Sequence, residues 1–453
     1  MQEKPFRVTI LLALHAVLGF LSTLSPMFGT AWGVIFMLGA LYVVIKNYNE
    51  NNEAAYLAAY WMALEIVMRM THTHLPYEAG KYGVILILLA GLWVEEKPFY
   101  FPRHFLIYAL VLLPALTVVD FPDLNRGRKD ILFNLSGPMS LLISAIYFYQ
   151  RDVTQAQFNK LFTYLILPIF ALGIILFFKT PDLETVKFTL NSTAKLSGGF
   201  GANQVSTILG VGVFVMGISL FFGYSISGYK LIDIGMLVIF IIRGLLTFSR
   251  GGIFSAIGAL MAALLVFAIY SNNRQLVRQI FVGSILVGIV GFGAFTYTNK
   301  LTGGFLERRY ANESTNKFKK KDFTTGRLDI LMDEIEAFED YPILGAGVGM
   351  GKYYRVAHGK VMHASHTEFS RLLSEHGLYG IIALLIILFS PLVYFFQANN
   401  ESKPFVAAFI VVTFLTMTTA AMRLAMPGFF YGLIFISLLP ALEDDSIHRE
   451  QAQ

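Results

Sequence analysis

At 453 residues, 55% of them hydrophobic and 14% charged, with a mean hydropathy of +0.60, the chain is far oilier than a soluble domain, where about 25% of residues carry charge. It is read as an integral membrane protein. The lack of cysteine excludes disulfides and thiolate chemistry, and the net charge of +5 suits cytoplasmic loops and sites for phosphate-bearing lipids rather than nucleic acid.

The first apolar stretch follows Met1–Arg7 with no small-residue cleavage site, so it is expected to stay as a span. Crossing the hydrocarbon takes about 20 helical residues, and about fourteen windows come near that length. They are 8–26, 30–46, 54–70, 80–95, 103–120, 131–149, 160–179, 203–224, 230–247, 251–270, 276–297, 377–397, 404–422 and 427–442. Several are short, and the pair flanking Ser249-Arg250-Gly251-Gly252 could form a re-entrant hairpin. The expected fold is therefore an all-α polytopic membrane protein with about 12 to 14 transmembrane helices. Its expected parts are a bundle at 1–297, a polar excursion at 298–376 that carries the chemistry, and further spans with a short tail at 377–453. No internal repeat is found.

Orientation follows from Lys and Arg in short loops. With the N-terminus cytoplasmic, the inside set is Lys4, Arg7, Lys46, Lys97, Arg103, Arg151, Lys160, Lys230, Arg274, Arg278 and Lys403. The outside set is patchier: Arg69, Lys81, Arg126, Arg128, Lys129, Lys187, Lys195, Arg250 and Arg423. This bias puts the long polar segment outside.

Within that segment, Leu328, Leu331, Ile335 and Phe338 recur at helical spacing and predict an amphipathic helix, capped by Thr324 or Thr325 and ended by Pro342. A second helix is predicted from Ser365, which forms a capping box with Glu368; Phe369, Leu372 and Leu373 give its apolar face, and Gly377 stops it. The glycine-rich run from Leu344 to Gly351 must be a tight backbone turn. It is not a nucleotide loop, because no strand precedes it.

His366 would then sit in the first turn of a helix, whose positive end disfavours an imidazolium and favours the neutral form a general base needs. A loop histidine with no role beyond hydrogen bonding is the competing reading, and the helix start brings the two level. His363 precedes the cap and shares no helix face with His366, so a metal site is the weaker option. Arg250, beside two glycines at a membrane edge, is either a phosphate fork or an interfacial anchor. Lys195 opens a cationic, glycine-rich loop (Ser197 to Asn203) that also suits phosphate. Arg126, Arg128 and Lys129, like Lys317, Lys319, Lys320 and Lys321, read as solvated faces able to steer an anionic lipid. Glu65 and Arg69 form a structural helical pair, Arg243 needs a partner across helices or a function, and His15 is a hydrogen-bonded packing residue.

Together these segments resemble the O-antigen ligase and polymerase superfamily. The resemblance rests on His366-Thr367-Glu368-Phe369, Glu375-His376-Gly377-Leu378-Tyr379-Gly380, Thr325-Gly326-Arg327, Tyr341-Pro342-Ile343-Leu344-Gly345-Ala346-Gly347, Ser249-Arg250-Gly251 and the Lys195–Asn203 loop, in the family's order over roughly residues 190–380. Thr367 stands where the family has Asn, and Lys195 where it has Arg. The resemblance implies a metal-independent, inverting glycosyltransferase without cofactor, facing the periplasm from the bacterial inner membrane. Its donor would be an undecaprenyl-diphosphate-linked glycan. It implies that His366 deprotonates the acceptor hydroxyl and that Arg250 holds the diphosphate, with Lys195 and Arg327. His363 and Arg371 are further substrate-binding candidates, and Glu375 braces the loop. Ligation to lipid A–core is favoured over polymerisation or transfer to protein. A lipid-linked glycan flippase is the alternative from another class, and it would show repeats and a polar site at mid-bilayer.

Overall fold

The computed structural model describes residues 5–96, 100–121, 123–186, 188–192, 194–271, 274–313 and 327–439. Lys4, Lys97, Lys187, the lysines at 317 and 319–321, and the expected cap at Thr324 or Thr325 lie outside them.

In chain order the helices are α1 (Pro5–Leu24), α2 (Pro26–Lys46), α3 (Glu53–Met70), α4 (Ala79–Val94), α5 (Arg103–Val111), α6 (Leu124–Phe148), α7 (Gln155–Lys179), α8 (Ala202–Phe221) and α9 (Lys230–Leu246). They continue as α10 (Gly251–Tyr270), α11 (Arg274–Leu301), α12 (Phe305–Tyr310), α13 (Arg327–Asp340), α14 (Gly351–Ala357), α15 (Glu368–Gln397), α16 (Lys403–Thr419) and α17 (Met426–Leu433). A three-residue parallel ladder, β1 (Arg151–Val153) on β2 (Ile436–Leu438), is the strand structure among the described residues. The protein is an all-α polytopic membrane protein. Among the described residues eight helices (α1, α2, α6, α7, the segment ending as α8, α10, α11 and α15) are long and apolar enough to cross a membrane, and α4, α16 and the segment from Arg103 to Leu116 are shorter apolar helices. The remaining apolar windows have other fates. The window at 54–70 becomes α3, all of whose residues are buried, because an alanine-rich helix whose Glu65 and Arg69 pair with each other packs neighbours on every side. The window at 230–247 becomes α9, and the described part of the window at 427–442 is divided between α17 and β2.

Successive helices run in alternating directions, so the bundle has two distinct ends. At one end Arg151 makes a bidentate pair with Glu95 (2.9 and 2.8 Å) and Asn52 donates to Asp152 O at 3.2 Å. Lys403 there lies 4.4 Å from the Tyr270 ring centroid. The described cations of the inside set lie at this end. At the other end Lys179 donates to Met70 O at 2.8 Å, and a buried charge network joins α3, α4 and α6. In it Glu65 pairs with Arg69 (2.7 Å), Glu78 with Lys81 (2.6 Å), and Lys81 donates to Ser136 (3.1 Å). Such groups are costly to desolvate and stay charged only when fully partnered. The Glu65–Arg69 pair is thus present as expected. His15 is hydrogen-bonded to Tyr60 at 2.7 Å, and Arg243 lies over the Phe177 ring.

Elements α12, α13 and α14 sit on this second end. In α13 the buried face is Ile330, Glu334 and Ala337, one step round from the predicted stripe; Leu328 is 51% exposed. The reason is Glu334, whose carboxylate accepts from Ser370 (2.5 Å) and Arg355 (3.4 Å) and turns the helix toward those partners. Helix α15 starts later than predicted. Its N-cap is Thr367, whose hydroxyl accepts from Ser370 N, and Glu368 is engaged by Arg371 and Met422 N instead of reaching back to Ser365. Gly377 breaks α15 (φ 57°, ψ −133°). The glycine-rich turn closes over that break: Ala346 N donates to Ser374 O and Gly347 N to Glu375 O. A Cβ on Gly345 would lie 2.3 Å from the Glu375 carbonyl carbon, so only glycine allows this approach.

Candidate active site

The Ser249–Gly252 turn joins α9 to α10. A Cβ on Gly252 would lie 1.8 Å from Ser206 O, so the absence of a side chain lets α10 press its first turn onto α8. Ser206 Oγ donates to Ser249 O (3.0 Å), and Ser249 Oγ donates to Asn203 Oδ1 (2.7 Å). The N-cap residue of α10 is Arg250, whose side chain makes no capping bond to the first turn. The positive end of this twenty-residue helix therefore faces a cavity of about 530 Å³ lined by Gly251 and Arg250.

Three arginines line that cavity: Arg250 from the turn, Arg309 from α12 and Arg327 from the start of α13. No carboxylate is among the described residues lining it. Arg309 Nε donates to Phe248 O at 3.2 Å, which ties α12 to the turn. Burial lowers the pKa of all three guanidiniums; at Arg309 the neighbouring Arg250 and Arg327 lower it further, and at Arg327 so does Arg250. Guanidiniums remain protonated even so, and clustered cations in a half-buried site favour a multivalent anion.

His366 lines the same cavity, just before the Thr367 cap. Its Nδ1 is buried with no hydrogen-bond partner among the described residues. Its pKa is pushed down to about 4, first by burial and then by Arg423, Arg327, His363 and Arg355. The imidazole is therefore neutral near pH 7 and able to accept a proton.

The structure thus brings together Arg250, Arg327 and His366. Lys195 is exposed in a short turn (Ala194–Ser197) and does not line the cavity, although Asn191, Ser192 and Asn203 around it do. His363 is exposed outside the lining, and its carbonyl accepts from Arg355. Arg371 is buried between Glu368 and Glu375, the latter at 2.7 Å, and faces a separate small hollow. Glu375 also accepts, through its backbone, from Gly347 in the glycine-rich turn. Among the described residues no three His, Asp or Glu side chains gather in metal-binding geometry.

Sequence reasoning passed over two arginines. Arg309 is adjacent to Arg308, which is 44% exposed and paired with Glu313; only folding makes one of the two a wall of the cavity. Arg423 carries no local signal beyond that of a loop cation, because its targets lie 58 and 59 residues upstream.

Residues 235–385 match the family described as O-antigen ligase. The match supports, for that third of the chain, the resemblance to the O-antigen ligase and polymerase superfamily. The family segment contains Arg250, Arg309, Arg327, His363, His366 and Arg371, whereas Lys195 and Arg423 lie outside it. No curated protein matches the chain.

Proposed function

We propose that this protein is an O-antigen ligase-type glycosyltransferase that moves a glycan from undecaprenyl diphosphate to a lipid A–core acceptor at the periplasmic face of the inner membrane. The observation that carries this reading is the meeting of a neutral imidazole and three guanidiniums around one cavity at a helix N-terminus. The cations and the first-turn amides of α10 suit a diphosphate. His366 takes the proton of the acceptor hydroxyl as its oxygen attacks the anomeric carbon. The bond from that carbon to the diphosphate oxygen breaks, and the electron pair leaves with the lipid diphosphate. Arg250, Arg309 and Arg327 offset the charge that develops there. Attack opposite the leaving group inverts the anomeric centre. Lys195 at the rim would steer the anionic head group; His363 stays a candidate contact for the acceptor, and Arg371 holds the helix that follows His366.

The periplasmic assignment is supported by the end-to-end division of loop cations, since the cavity lies opposite the cation-rich short loops. A flippase would place its polar site at mid-bilayer, whereas this cavity is built from the ends of α8, α10, α13 and α16. The deciding experiment is reconstitution with a polyprenyl-diphosphate-linked oligosaccharide and lipid A–core. Wild type should form capped core, and His366→Ala should lose about 10²- to 10⁴-fold in rate with insertion and abundance unchanged. Full activity of that variant overturns the reading. In a deletion strain, uncapped core with accumulated polymer indicates ligation; core bearing single repeats indicates polymerisation.

A further inference from the structure

The segment that presents His366 is held from the far end of the chain. Arg423, in the loop between α16 and α17, donates from Nη2 to Ala364 O (3.0 Å) and to Ser365 O, the two carbonyls that precede His366. That loop is itself fixed. Arg69 Nη1 donates to Arg423 O at 3.0 Å, and Arg69 Nη2 pairs with Glu65 at 2.7 Å. The second oxygen of Glu65 accepts from Ala425 N at 2.7 Å. From the other side, Met422 N donates to Glu368 at 3.2 Å, in the first turn of the helix that follows His366. Ala421, two residues before Arg423, has φ +48°, a conformation unfavourable for a residue with a Cβ that persists where surrounding contacts hold it.

We propose that Arg423 is a positioning residue for the transfer reaction: it fixes the backbone that aims His366 into the cavity, as the half-buried last member of a chain that starts from the buried pair Glu65–Arg69. This rests on His366 being the base. Arg423 touches the backbone beside the base and lies outside the cavity lining, so its effect passes through His366. Its charge also bears on the imidazole. The charged groups around His366 are Arg423 from the α16–α17 loop, Arg327 from α13, Arg355 from α14 and His363 on its own segment, with Arg250 and Arg309 across the cavity. Removing one cation from this set makes protonation of His366 easier.

The test uses the full chain in lipid nanodiscs, with histidine ring carbons labelled for NMR and the His366 signal assigned through His366→Gln. A second arm measures transfer from a polyprenyl-diphosphate-linked oligosaccharide to lipid A–core. In Arg423→Gln the His366 titration midpoint should rise by about one pH unit. Its kcat should fall about 10- to 100-fold while KM stays within about threefold. Arg423→Lys, which keeps the charge and loses the planar guanidinium, should hold the wild-type midpoint and show an intermediate kcat. It decides the matter if the glutamine variant does not fold. A wild-type midpoint and kcat in Arg423→Gln, or a wild-type kcat or a raised midpoint in Arg423→Lys, overturns the proposal. The two readings fail separately. If His366→Ala retains transfer, the assigned reaction is wrong; if His366→Ala is inactive and Arg423→Gln behaves as wild type, only the positioning role falls.

Discussion

Two groups of arginines sit at the same end of the bundle and differ in what surrounds them. Arg69 and Arg371 are buried among carboxylates: Arg69 pairs with Glu65 at 2.7 Å and approaches Glu78 at 3.7 Å, and Arg371 lies between Glu368 and Glu375. Arg250, Arg309 and Arg327 line an open cavity whose described lining contains no acid. The first arrangement satisfies its charges internally and serves the fold. The second gathers positive potential where a ligand can reach it. The residue type is the same in both, and the local charge balance separates structure from binding.

The sharpest way to break the comparison is to swap effects between the groups. Arg371→Ala leaves two carboxylates buried without their partner and should destabilise the fold by about 3–5 kcal/mol, seen as a lowered melting temperature in detergent. Arg250→Ala should leave melting unchanged and lower kcat/KM about 10²- to 10³-fold, or about 2.7–4 kcal/mol, in the reconstituted transfer assay. If Arg371→Ala melts as wild type while Arg250→Ala unfolds, the two groups have been assigned the wrong way round.

A pH titration sharpens the contrast. His366 has its pKa lowered from 6.5 to about 4, so it is neutral above that value. Transfer governed by His366 should stay level from neutral pH down to about 5 and then fall as the imidazole takes up its proton. The linked stability effect has a definite sign. Between 6.5 and about 4 the unfolded chain binds the proton that the folded site refuses, so this histidine's contribution to stability declines as pH falls through that window. His366→Gln should flatten that part of the stability profile, measured by thermal melting against pH. The smallest effect is expected at the exposed Arg308–Glu313 pair, 2.7 Å apart; Arg308→Ala should cost no more than about 1 kcal/mol and leave transfer unchanged, although its neighbour Arg309 lines the site.

Parts of the site were legible in the chain because local chemistry announces them. Ser249-Arg250-Gly251-Gly252 is a cation beside glycines at the edge of an apolar stretch, and His366 stands between two capping residues, although the structure puts it just ahead of the helix rather than in its first turn. The placement of that cap was less legible. Ser365 and Thr367 are both good capping residues, and the choice fell to Thr367 because Glu368 was drawn away by Arg371 and the Met422 amide. The buried face of α13 was likewise misplaced, since apolar spacing cannot foresee that a glutamate will be turned inward by Ser370 and Arg355.

Composition and hydropathy alone determined that this is a helical membrane protein with a charged excursion late in the chain, because the cost of placing charge or unpaired backbone in hydrocarbon leaves few other outcomes. Tertiary structure decided which of its many arginines gather around one cavity, that Arg309 faces inward while Arg308 faces water, and that Arg423 reaches back to the carbonyls before His366. Those choices depend on contacts between residues far apart in sequence, and no local pattern encodes the packing of helix ends that brings them together.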